Sequence, residues 1–183
     1  MTYSEEILVT NIKRNDRDAQ KTLYHKYANR LLYLSIRYVG REEIAEDILH
    51  DSFIKIFNEI GKFKFQGEGS LRAWMDRITI NTSLEWLRNN KKLEFVPLDS
   101  EYNLIDEPSY SETEIIPRDK LMQLINELPD GYRTVFNLFC IEEYSHKEIA
   151  AKLNINEKSS SSQLLRAKRL LATKIKEYLM GVI

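Results

Sequence analysis

From Ala19 to Tyr38 an apolar residue returns every three or four positions, at Ala19, Leu23, Tyr27, Leu31, Leu34 and Tyr38. That period matches a helical turn and not a strand, whose side chains alternate every second residue. Asp16 precedes the run as a candidate N-cap and Gly40 ends it, which predicts one amphipathic helix of about six turns. The chain has 183 residues and only six glycines and four prolines to interrupt such patterns. Long packed helices are therefore favoured over many short strands, in one domain or two small ones.

The flanking sequence continues the pattern. A shorter helix is expected over residues 4–13 and another over 41–60, closed by Gly61. Residues 62–69 form a loop containing Phe63, Phe65, Gly67 and Gly69, after which Ser70 caps a helix carrying Leu71, Trp74, Met75, Ile78, Leu84 and Leu87 to about Asn90. The interval 93–119 has no helical stripe, contains Pro97, Pro108 and Pro117, and sets eight acids against Arg118 alone, a net charge of −7. It reads as a partly disordered linker between two helical domains. Helices are then expected over 120–128, stopped by Pro129-Asp130-Gly131, over 132–141, over 146–153 behind a Ser145 cap, and over 157–179. The turn Asn154-Ile155-Asn156 between the last two suggests a helix-turn-helix.

Overall charge is nearly balanced, 27 basic residues against 28 acidic, so any attraction to a polyanion must be local. It is strongly segregated. Residues 158–176 carry Lys158, Arg166, Lys168, Arg169, Lys174 and Lys176 with no acid, and residues 70–92 carry a net +3. Two basic helices that each follow a turn suit two contacts with a phosphate backbone, although basic residues also simply solvate a helix. The second helix of a helix-turn-helix is the element that enters a major groove, which weights the last helix toward DNA. Residues 41–60 have the opposite sign, net −4, and Ile44, Ile48 and Ile54 fall beside Asp47 and Asp51. These isoleucines either meet a basic, partly apolar protein surface or cover a second helix of the same domain. Trp74 fits a core position. Phe65 either receives an unstacked base or joins Phe63 in plugging the domain.

Catalytic chemistry is not indicated. His25, His50 and His146 lie on different helices without the spacing of a metal pair, and Gly67 and Gly69 lack the lysine of a nucleotide-binding loop. Cys140, the single cysteine, lies in an apolar stretch and is expected to be a buried structural thiol. No apolar run approaches the roughly 18 residues of a membrane span, and residues 1–6 are acidic where a signal peptide is basic. A cytoplasmic protein without cofactor or metal is expected.

The stretches 45–57 (AEDILHDSFIKIF), 65–67 (FQG) and 70–81 (SLRAWMDRITIN) resemble region two of bacterial extracytoplasmic function (group four) sigma factors. Residues 128–136 (LPDGYRTVF), 144–153 (YSHKEIAAKL) and 164–168 (LLRAK) resemble region four. The resemblance spans nearly the whole chain in order. It implies an all-α protein: a region 2 bundle over residues 1–92, a flexible acidic linker over 93–117, and a region 4 helix-turn-helix over 118–183. It implies a factor that binds RNA polymerase core, directs it to promoters and promotes melting, and is itself no enzyme. Asp47, Ile48, Asp51 and Ile54 would dock on the clamp helices of the largest subunit, with a further contact to the polymerase flap. Phe65, Gln66 and Gly67 would capture a flipped base of the minus ten element, and Arg77 and Asn81 would hold the opened strand. Ser161, Ser162, Leu165, Arg166 and Arg169 would read the minus thirty-five element. An anti-sigma factor is implied as a further partner.

The chain departs from the family at Asn154, where glycine is usual, and at Ser161, where a basic residue is usual. Fewer guanidinium contacts weaken direct readout of guanines. The serines 159–162 are poor helix formers, so this turn is expected to order fully only on DNA. A stand-alone helix-turn-helix regulator is the alternative reading, and a protein-binding helical adaptor a third.

Overall fold

The computed structural model describes residues 4–90 and 116–181, and among them every regular element is helical. The chain divides into two compact units, Met1–Trp86 and Leu87–Ile183.

In the first unit α1 (Glu5–Lys13) is capped by Ser4, whose hydroxyl accepts from the Ile7 amide. The predicted long helix is α2 (Arg17–Val39), with the Asp16 carboxylate accepting from the Asp18 and Ala19 amides and Gly40 closing the last turn. Next come α3 (Glu42–Glu59), a single 3-10 turn (Ile60–Lys62), and α4 (Ser70–Asn89). Leu8 and Ile12 of α1, Leu23, Leu31 and Tyr38 of α2, Ala45, Ile48 and Ile56 of α3, and Leu71 and Met75 of α4 are buried. Helices α2 and α3 pack along each other, and α1 packs on α2. The buried face of α4 differs from the predicted stripe, because Thr79, Ile80 and Ser83 are interior while Trp74 and Ile78 are only partly covered. Two hydroxyls can enter the core because each donates to a carbonyl one turn back, Thr79 to Met75 and Ser83 to Thr79.

The second unit contains α5 (Arg118–Asn126), α6 (Asp130–Phe136) running into a wide π turn (Asn137–Ile141), α7 (His146–Leu153) and α8 (Glu157–Leu179). Its core joins Ile116, Leu124, Ile125, Leu128 and Tyr132 to Ala167, Leu171 and Ile175 of α8. Helix α5 starts two residues before the predicted position, directly after Pro117. Pro129-Asp130-Gly131 does not only stop α5: Pro129 is the N-cap of α6, and Asp130 and Gly131 form its first turn. The buried Arg133 guanidinium stitches this corner by donating to the Asn126 and Leu128 carbonyls, 2.8 Å each, with Asp130 beside it. Cys140 is exposed, contrary to expectation. The π turn, closed by the Glu142 amide on the Asn137 carbonyl, brings Asn137 and Leu138 inward and leaves Cys140 outside. Most of the expected acidic linker, residues 93–115, lies outside the described residues.

Candidate functional site

On α3, Asp47, Asp51 and Ile54 recur at helical spacing and are all exposed, Ile54 by 58%. They form one outward row of two carboxylates and a large alkyl group. Ile48 does not belong to that row. It is 1% exposed and packs in the core, one position round the helix from Asp47. Ile44 is partly covered. Of the isoleucines beside the acids, Ile48 therefore packs inside the unit and Ile54 stands exposed.

The loop between α3 and α4 is tied down at both ends. Phe63 is buried and packs on Trp74 with ring centroids 4.9 Å apart, while its carbonyl accepts from Lys13 Nζ at 2.6 Å. Phe65 is half-buried, and Gln66 and Gly67 are exposed. Phe63 is therefore a buried plug of the unit, while Phe65 is only partly covered. Gly67 and Gly69 have φ of +107° and +89°, a region that disfavours any side chain even though nothing lies near a Cβ at either position. Ser70 turns back on the loop, its hydroxyl donating to the Gly67 carbonyl at 2.6 Å and accepting from the Gln66 amide.

The Ser70 side chain therefore does not cap α4. Glu5 of α1 does: its Oε2 accepts from the Gly69 amide at 2.8 Å and the Leu71 amide at 3.3 Å, and its Oε1 accepts from the Tyr27 hydroxyl at 2.7 Å. Glu68 returns the favour, its Oε1 accepting from the Glu5 amide at 3.3 Å. Burial, then the hydrogen bond and negative charge of Glu5, push the Tyr27 phenol well above its ordinary pKa. Sequence reasoning missed Glu5, and no local signal could have revealed it, since its partners lie 64 and 66 positions away.

On α4, Arg77 and Asn81 are exposed one turn apart. The two acids of this helix are engaged from elsewhere. Asp76 accepts two bonds from Arg30 of α2, at 3.1 and 2.6 Å, and Glu85 pairs with Lys55 of α3 at 2.8 Å. Exposed pairs of this kind add little stability. Their local effect is to counter the negative charge beside exposed Arg72 and Arg77.

In the second unit Ser145 and Glu148 form a complete capping box on α7. Asn154 takes the left-handed conformation, φ 55°, that glycine would take there, and the Ile155 amide closes on the Ala150 carbonyl at 3.0 Å. Asn156 caps α8 by accepting from the Ser159 amide at 2.7 Å. Ser160 is fully buried, 2.9 Å from His146 Nδ1, and that imidazole stacks on Phe139 at 4.6 Å. The serine run is helical from Glu157, where the Asn156 cap and the His146–Ser160 contact offset its low propensity. Gln163, Leu164, Ala167 and Leu171 line the inner face of α8. Ser161 is exposed, Leu165 is 47% exposed, and Ser162, Arg166 and Arg169 are partly exposed. The Ser162 hydroxyl donates to its own helix, to the Lys158 carbonyl.

Among the described residues no group of His, Cys, Asp and Glu could hold a metal ion, and no helix is long and apolar enough to cross a membrane. Residues 23–93 match the model of Sigma-70 region 2, and residues 118–171 match Sigma-70, region 4. The RNA polymerase sigma factor YlaC of Bacillus subtilis is 28% identical over 156 residues, covering 83% of this chain and 89% of that protein. The ECF RNA polymerase sigma-E factor of Haemophilus influenzae is 27% identical, covering 94% and 95%. The ECF RNA polymerase sigma factor SigW of Bacillus subtilis is 28% identical, covering 92% and 95%.

Proposed function

Because the chain belongs to the sigma-70 family, in its extracytoplasmic function group, and directs RNA polymerase to specific promoters, we propose that it divides this task among three surfaces. The α3 row of Asp47, Asp51 and Ile54 docks on the polymerase clamp helices, where carboxylates meet basic side chains and Ile54 supplies the apolar contact. The loop at Phe65, Gln66 and Gly67 receives a base flipped from the minus ten element, and Arg77 and Asn81 hold the strand from which it came. Ser161, Ser162, Leu165, Arg166 and Arg169 of α8 enter the major groove of the minus thirty-five element. Residues 1–92 act as the first module and 118–183 as the second, with 93–117 spanning between them.

The observation that carries this reading is the segregation of charge by surface. An acidic, partly apolar row lies on α3, and basic residues lie outward on α4 and α8. Extruding a base costs a few kcal/mol, which contacts to polymerase and phosphates must offset. The chain supplies contacts and no reacting group, and it works in the cytoplasm with polymerase and DNA. An anti-sigma protein covering one of these surfaces in the free chain completes the proposal, as membership of the group implies.

Run-off transcription with purified core polymerase over a randomised promoter library tests it. Promoter-specific transcripts are expected from the native chain. They should be lost with Asp51→Arg/Ile54→Ala through failed polymerase binding, and with Arg166→Glu/Arg169→Glu through failed promoter recognition. Tight operator binding without polymerase, and no transcripts with it, would instead indicate a stand-alone regulator.

A further inference from the structure

We infer that Glu5, assisted by Lys13, is a positioning residue for base capture: α1 holds the 63–71 loop in its receiving form before DNA arrives. This rests on the reading of Phe65, Gln66 and Gly67 as the base-capturing loop, and it adds what sets the shape of that loop. Glu5 is 5% exposed, and a carboxylate is tolerated at such a place only when hydrogen bonds and favourable charge replace water. Here both are supplied by the first turn of α4, where the free amides and the positive end of the helix dipole favour an anion. The residue at the cap position, Gly69, has no side chain to satisfy these amides, and Ser70 is committed to the loop. The cap is thus provided from another helix.

Lys13 holds the opposite end at the Phe63 carbonyl. The stretch between these anchors, Lys64 to Glu68, carries Phe65, Gln66 and Gly67 and has further ties from the Ser70 hydroxyl to Gln66 and Gly67 and from the Glu5 amide to Glu68. With Gly67 in it and Gly69 directly after it, the backbone has many alternatives of similar energy. Glu5 and Lys13 select among them. The ordering cost is then met when the protein folds rather than when the promoter opens, and loosening either anchor lowers the fraction of molecules able to take the base.

The experiment has two readouts. In the free chain, residue-resolved hydrogen exchange at the Gly69 and Leu71 amides should be faster in Glu5→Ala than in the native chain. With core polymerase on a promoter carrying 2-aminopurine in the minus ten element, Glu5→Ala and Lys13→Met should lower open-complex formation roughly tenfold, as expected if the competent fraction falls by that factor. Closed-complex footprints and polymerase affinity should not change. Glu5→Gln, which keeps one acceptor oxygen, should recover part of the loss. Val39→Ala, which loosens the far end of α2, should open promoters normally at a matched loss of thermal stability. If Glu5→Ala unfolds the unit, Lys13→Met and Glu5→Gln decide the matter alone.

Unchanged amide exchange, or normal opening with accelerated exchange, overturns the inference. Phe65→Ala separates the two levels. Normal opening in Phe65→Ala removes the underlying reading of the loop, whereas impaired opening in Phe65→Ala with normal opening in Glu5→Ala and Lys13→Met removes only the role of α1.

Discussion

Tyr27 carries its helical position and its chemistry in different parts of the molecule. The ring belongs to the apolar stripe of α2, while its hydroxyl donates to Glu5. Its pKa is raised by burial first and then by Glu5, so the folded state resists ionisation. The stabilisation is complete below the ordinary tyrosine pKa of about 10 and is lost as pH rises beyond it. Tyr27→Phe should flatten this alkaline decline in a urea melt repeated from pH 8 to above pH 10. Ile48 and Ile54 form a second residue-scale contrast. Ile48→Ala should cost about 2–5 kcal/mol of stability by leaving a cavity. Ile54→Ala should stay within about 0.5 kcal/mol and lower polymerase affinity, as calorimetry and a binding titration would separate. Helical spacing placed both isoleucines near the acids, but one step round a helix decides between core and solvent, and a hydropathy pattern with apolar residues on two sides does not contain that step.

Elements were legible where local chemistry decides them. The Ser145 cap, the bounds of α7 and α8, and the Asn154 turn all follow from residues that touch each other within a few positions. Ser145→Ala should therefore cost about 1 kcal/mol, seen as a lower melting temperature of the second unit. The serine run draws on a partner that local reasoning does not reach, because His146 sits 14 positions before Ser160 on another helix. His146→Ala should loosen the first turn of α8, with faster exchange of amides in residues 160–163. Cys140 defeated local reasoning for a different reason, since a π turn shifts every later side chain relative to a regular helix and its occurrence is not written in hydropathy.

Across the whole molecule, a net charge of −1 conceals surfaces of opposite sign. A chain so balanced gains little from coating DNA indiscriminately and depends on polymerase to bring its basic helices to a promoter. In salt titrations of promoter binding by the reconstituted holoenzyme, Arg166→Ala should reduce the log–log slope by about one if the side chain meets a phosphate, and relax specificity at one base pair if it reads a base edge. The order of helices and the family were readable from motif order alone; the reciprocal capping of α1 and α4 was not, because carboxylate and amides meet only in the finished fold.

That exchange of caps also orders events during synthesis. Glu5 is synthesised well before the amides it satisfies, which follow 64 and 66 positions later. At about 5–20 residues per second the nascent chain waits several seconds with this carboxylate in water. The first unit is therefore completed only when α4 meets α1, and removal of α1 would be felt at the loop that precedes α4.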